Sequence, residues 1–204
     1  MSTGKIVVAI TGGSGAIYAQ RFLIHAAQFY SEIYLSLSRQ AAQVAEEELG
    51  VQIDLQNFST FDWLGKDYPQ IQLLDNTSFY SPPASGSFRH DGMVILPCSM
   101  GTAGRIAHGI SDSLIARAAD VCLKERRKLI LVPREMPWNL IHLKNMTQLT
   151  EAGACIVPAS PAWYHRPANF EELADTVVAR ILQLLGKDHQ LFRQWMVEEE
   201  VSFS

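Results

Sequence analysis

The residues best suited to chemistry sit in short polar segments between apolar runs. Thr11-Gly12-Gly13-Ser14-Gly15-Ala16 follows a β-branched run and precedes residues with helical spacing. Amides left free at a helix N-terminus carry partial positive charge and attract anions, and glycine lets the chain approach a phosphate closely. Cys98-Ser99-Met100-Gly101-Thr102 offers two hydroxyls and several amides at a second junction of this kind. Each also has a plainer reading, a tight turn for the first and simple N-capping for the second.

Arg117 and Lys124 are seven residues apart, so on a helix they share one face two turns apart,. There they could converge on a second phosphate or simply face solvent. Arg134-Glu135, between Pro133 and Pro137, sets a cation beside a carboxylate that could donate a proton or form an ordinary ion pair,. In Tyr164-His165-Arg166-Pro167 the phenol could donate to phosphate, with a packed aromatic corner and a capping His as the alternative,. Cys98 has no base at a useful spacing and reads as a small buried residue. The remaining histidines show neither HExxH nor HxH spacing, so no catalytic zinc site is expected,.

Loops are positioned by the elements they join. Apolar, β-branched strand-length runs occur at Ile6–Ile10, Ile33–Leu37, Met93–Leu96, Leu129–Val132 and Cys155–Val157,. Helical patterns follow from Ala16, over Gln40–Leu49, from Ala103, and over Asp112–Arg126, Trp138–Ala152 and Phe170–Leu185,. Val51–Asn76 is less regular, and the prolines of Tyr80–Ser87 exclude that stretch from a central sheet. The alternation predicts an α/β fold, a doubly wound parallel sheet of Rossmann or flavodoxin-like type, covered on both faces and binding ligands beyond the carboxyl ends of its strands. One domain over 1–204 is expected, with 187–204 as a C-terminal extension.

The first glycine turn is not a dinucleotide fingerprint. From Gly13 the GxGxxG template finds Gly15 but then Tyr18, and the second strand ends in Ser38-Arg39 rather than an acid for ribose hydroxyls,. Flavin mononucleotide (FMN) fits better than NAD.

Composition narrows the class further. Seventeen basic against 21 acidic residues, net charge −4, lack the positive field that nucleic-acid binding uses,. No apolar run approaches the roughly 20 residues of a membrane span, and no signal segment is recognisable at the N-terminus. Three cysteines, Cys98, Cys122 and Cys155, form no CxxC pair and fit a reducing compartment, so a cytoplasmic protein is expected,.

Taken in register, these segments resemble the flavin prenyltransferase family of the UbiX type: Thr-Gly-x-Ser-Gly-Ala at 11–16, Pro-Pro-x-Ser-Gly-Ser at 82–87 and Cys-Ser-x-x-Thr at 98–102. Arg117–Val121, Leu123–Arg127, Pro133–Glu135, Ile141–Leu143 and Tyr164–Pro167 extend the similarity along nearly the whole chain. The resemblance implies an enzyme that joins a dimethylallyl unit from dimethylallyl phosphate to N5 and C6 of reduced FMN, without a metal. The product would serve a prenyl-FMN-dependent decarboxylase of the UbiD type, in ubiquinone biosynthesis.

By that resemblance Gly12, Gly13, Ser14, Ser38, Ser99, Met100, Gly101, Thr102 and Arg134 would hold FMN. Phe79, Ser85, Arg117, Lys124, Tyr164 and Arg180 would bind the prenyl donor, some across a subunit boundary of a homo-oligomer, with Phe79 standing where some relatives have Trp. Ser14, Glu48 and Glu135 would relay protons or position groups. Two other readings compete: an FMN-dependent decarboxylase of the related cysteine-decarboxylase fold, and a flavin-binding regulatory protein without turnover. Pro133-Arg134-Glu135-Met136-Pro137 does not match the Pro-x-Met-Asn segment of the former, and the latter has no use for a second phosphate grip.

Overall fold

Alternate residues of the central strands enter two separate cores, which is what a parallel sheet covered on both faces requires. In β1 (Gly4–Ile10), Ile6, Val8 and Ile10 join one core, while Val7 and Ala9 join the other. The structure, a computed structural model, describes residues 4–191. With β2 (Tyr30–Leu37), β3 (Ile71–Leu74), β4 (Met93–Cys98), β5 (Leu129–Pro133) and β6 (Cys155–Ile156), β1 forms one parallel sheet in the order β3-β2-β1-β4-β5-β6. The expected single-domain α/β architecture is thus observed. Of the expected C-terminal extension, residues 192–204 lie outside the described residues.

The helices divide by face. On one pack α1 (Ala16–Ala26), α2 (Arg39–Leu49), α3 (Thr60–Leu64) and α7 (Phe170–Leu184). On the other pack α4 (Met100–Ala107), α5 (Leu114–Lys124) and α6 (Leu140–Glu151). After β6 the chain crosses back, so that α7 lies against α1. No helix among the described residues is long and apolar enough to cross a membrane.

Two elements, β3 and α3, occupy the stretch 51–76 that the sequence left irregular. Other differences are at ends. α5 begins at Leu114 because Ser113 caps it, its Oγ accepting from Ala116 N at 3.3 Å. α6 begins at Leu140 rather than Trp138, because Asn139 and His142 form a reciprocal capping box,. Pro82–Ala84 forms a single 3-10 turn within the proline loop.

Candidate functional site

The strand order reverses between β1 and β4, and the crevice beyond their carboxyl ends is the position this topology reserves for ligands,. Thr11 ties the two strand ends together: its Oγ1 donates to Pro97 O at 3.0 Å and accepts from Ser99 N at 2.7 Å. Above this join lies a cavity of about 340 Å³, lined in part by Thr11, Gly12, Ser38, Ser99, Thr102 and Ser113. Ser38, Ser99 and Ser113 are the N-caps of α2, α4 and α5. Three helix N-termini therefore face one small polar space, an arrangement suited to a phosphate. Gly12 is required by close approach, because a Cβ there would sit 2.6 Å from Gln40 Cβ.

Ser14, Glu48 and Arg134 form a second group next to this cavity. Glu48 Oε2 accepts from Gly15 N at 2.8 Å and Ala16 N at 2.7 Å, and Arg134 Nε donates to Ser14 O at 3.1 Å. Burial pushes the Glu48 carboxyl up, but hydrogen bonds from Ser14, Ala16 and Gly15 and the Arg134 charge hold it below the usual carboxylate range. This corrects one expectation: the first amides of α1, offered above as a wall for phosphate, are already occupied by a carboxylate. Glu135 follows Arg134 on an exposed turn, its Oε1 accepting from Met136 N at 3.2 Å.

Because its folded-state value is depressed, Glu48 stabilises the fold above its ordinary value of 4.5, and that contribution is lost as pH falls through the depressed value,. Glu48→Gln is expected to cost about 1 kcal/mol near neutrality, as loss of a cap does. Its melting temperature should converge on the wild-type value as pH is lowered below 4.5 and through the depressed value,. A gap that stays constant across a thermal-melt series in pH would reject the charged-cap role.

The Met100 side chain is buried in the α4–α6 core, so only its backbone is left for the contact through amides expected at this junction. Gly101 and Thr102 remain accessible at the helix start, Thr102 Oγ1 accepting from Ser99 Oγ at 3.0 Å.

The expected donor-binding residues fall into two groups. Arg117 and Lys124 share a face of α5 beside the proline loop: Arg117 Nε donates to Ala84 O at 3.2 Å and its Nη1 to Asp120 at 2.8 Å, while Lys124 pairs with Glu125. Ser85 and Ser87 exchange a hydroxyl hydrogen bond at 2.9 Å in that loop. Tyr164 and Arg180 instead line a cavity of about 640 Å³ at the β6 side, where the Tyr164 and His165 rings stand 4.1 Å apart and Arg180 donates to Gln183 at 3.3 Å. α5 and α7 cover opposite faces of the sheet. One chain therefore does not bring all four groups onto one phosphate. Phe79 is half-exposed on the segment leading from β3 to the proline loop.

Cys98 is fully buried, and burial pushes its thiol up to about 12, which suits packing rather than nucleophilic attack,. Among the described residues no three His, Cys, Asp or Glu side chains gather as a metal site. Asn76, Arg105 and Asp112 also line the 340 Å³ cavity and were not singled out from the sequence. Asn76 Oδ1 accepts from Ile115 N at 3.1 Å, fastening the start of α5 to the end of β3. Only recognition of β3 could have drawn attention to it.

The Flavoprotein family matches residues 1–185. The chain is 44% identical over 191 residues to the flavin prenyltransferase UbiX of Methanocaldococcus jannaschii, covering 94% of this chain and 98% of that protein. It is 43% identical over 203 residues to the Pseudomonas aeruginosa protein of the same name, covering 97% of each. The crystal structure of AnUbiX with FMN and dimethylallyl pyrophosphate superposes with a TM-score of 0.84 at 39% identity, covering 96% of this chain and 99% of that one. A dodecameric FMN-dependent UbiX-like decarboxylase from Escherichia coli O157:H7 superposes at 0.82 with 38% identity, covering 94% and 98%. Peptidyl-cysteine decarboxylase EpiD, at 20% identity and a TM-score of 0.54, shares the fold alone, so the cysteine-decarboxylase reading is not favoured. With nearly its whole length aligned at more than 40% identity, the chain belongs to the flavin prenyltransferase family of the UbiX type.

Proposed function

We propose that the protein transfers the dimethylallyl group of dimethylallyl phosphate to N5 and C6 of reduced FMN, at a site completed by a neighbouring copy of the chain. The observation that carries this reading is the convergence of the Ser38, Ser99 and Ser113 helix caps on one cavity. That cavity fits the flavin phosphate, while Ser14, Arg134, Glu48 and Glu135 stand beside the switch-point loops to orient the reacting ring. Reduced flavin supplies the nucleophilic nitrogen and carbon. The allylic C–O bond breaks and phosphate leaves. Two flavin hydrogens are displaced as N5 and C6 gain bonds to the five-carbon unit; one proton passes to that unit and one to the phosphate.

Departure of phosphate needs fixed positive charge where the new charge develops. Arg117 and Lys124 from one chain, with Arg180 from a second, would provide it; Tyr164 of that second chain would donate a hydrogen bond to the phosphate, and Ser85 and Phe79 would complete the donor site. The opposite-face placement of α5 and α7 favours this shared site, as does the dodecameric assembly of the E. coli relative. We further place the protein in the cytoplasm, supplying its product to a UbiD-type decarboxylase of ubiquinone biosynthesis.

The test is anaerobic incubation of protein, dithionite-reduced FMN and dimethylallyl phosphate, followed by mass spectrometry of the released flavin. Gain of one C5 unit is expected. FMN recovered unchanged from protein shown to bind it would reject the reaction.

A further inference from the structure

Arg105 is the one basic side chain among the described residues that line the 340 Å³ cavity, and Asp112 is the one acid. Arg105 Nε donates to Asp112 Oδ2 at 3.0 Å, which fixes the guanidinium along one edge. The other edge lies over the first turn of α4: a Cβ at Gly101 would stand 3.4 Å from Arg105 Nη1.

Arg105 lies in the last turn of α4, and its guanidinium reaches back along the helix toward the N-terminal end, which carries about half a positive charge,. Asp112 offsets the charge from the Nε side only. An anion in the cavity would relieve it from the other, meeting both the guanidinium fork and the α4 amides. Guanidinium recognises phosphate oxygens by paired, directional hydrogen bonds. The pair is half-exposed, with side-chain exposures of 49% and 51%, so a surface ion pair formed for stability alone would contribute little,.

On the flavin reading given above, we propose that Arg105 is a specificity residue, reading the terminal phosphate of the flavin and so selecting FMN over unphosphorylated riboflavin, with Asp112 as its positioning partner. Riboflavin offers the same ring and ribityl chain but no anion, so Arg105 discriminates between them through the phosphate alone.

The experiment compares FMN and riboflavin binding to the wild type, Arg105→Gln and Arg105→Lys by quenching of flavin fluorescence. Arg105→Gln is expected to weaken FMN binding about 30-fold, the value of a charge-assisted hydrogen bond, and to leave riboflavin binding within about two-fold. Arg105→Lys, which keeps the charge but loses the planar fork, should fall between. Equal losses for both flavins would assign Arg105 a structural role, and an unchanged FMN preference in Arg105→Gln would leave it an ordinary ion pair; either overturns the assignment while the flavin reading stands. Wild-type protein that binds neither flavin overturns both.

Discussion

Lys124→Ala and Arg180→Ala, each prepared alone, are expected to slow prenyl transfer about 100-fold, the usual consequence of removing one charge-stabilising group from an active site. Co-assembled in equal amounts from separately tagged chains, the two variants should recover about a quarter of the wild-type rate, because random mixing pairs an intact α5 with an intact α7 at about one site in four. The reasoning rests on topology. α5 enters its core through Ile115, Ala118, Ala119 and Cys122, and α7 enters the other through Val177, Val178, Ile181 and Leu182. A sheet separates the two cationic groups, so a site that needs both draws them from different chains. Single-turnover formation of prenylated flavin measures the outcome. A mixture no more active than its parents would mean that the four groups do not meet between chains.

Much of this architecture was legible in the residues. The runs at Ile6–Ile10, Met93–Leu96 and Leu129–Val132 read as buried strands because both of their faces are covered,. Their loops were legible for the same reason, since a doubly wound sheet offers ligands only its carboxyl edge. The strand β3 escaped because Ile71-Gln72-Leu73-Leu74 is four residues long and lies at the sheet edge, where only Ile71 is buried. With it went Asn76 and the fastening of α5.

The occupied α1 terminus was invisible for another reason. Glu48 reaches Gly15 and Ala16 across more than thirty residues, and spacing along α2 shows a polar face but not which partner it meets. Arg105 was missed similarly. It lies one turn beyond Thr102 on α4, and only the folded approach of Asp112 makes it part of the cavity wall.

The same distinction between local pattern and long-range partner governs the largest expected stability effect. Asp175→Asn is expected to destabilise the protein by about 3 kcal/mol, the scale for breaking a buried ion pair by removing one partner. Asp175 is 8% exposed on α7 and accepts from Arg21 Nε at 2.8 Å and Nη2 at 2.6 Å, with His25 Nε2 at 3.2 Å. Arg21 and His25 lie one turn apart on α1, so one carboxylate joins the two helices over the α1–α7 contact. Asparagine keeps the volume but leaves the Arg21 charge without its counter-ion.

Burial pushes the Asp175 carboxyl up, but hydrogen bonds from His25 and Arg21 together with their charges hold it below its ordinary value of 3.8. The pair therefore stabilises fully above that value, and its contribution disappears as pH falls through the depressed one. Urea denaturation at neutral pH should show the full difference between wild type and Asp175→Asn, and the two curves should approach each other in strong acid. A neutral-pH difference below about 1 kcal/mol would place the pair with solvent-exchanging surface bridges and remove the α1–α7 clamp. Because α7 also carries Arg180, that clamp is what fixes Arg180 relative to the loop at the head of α1.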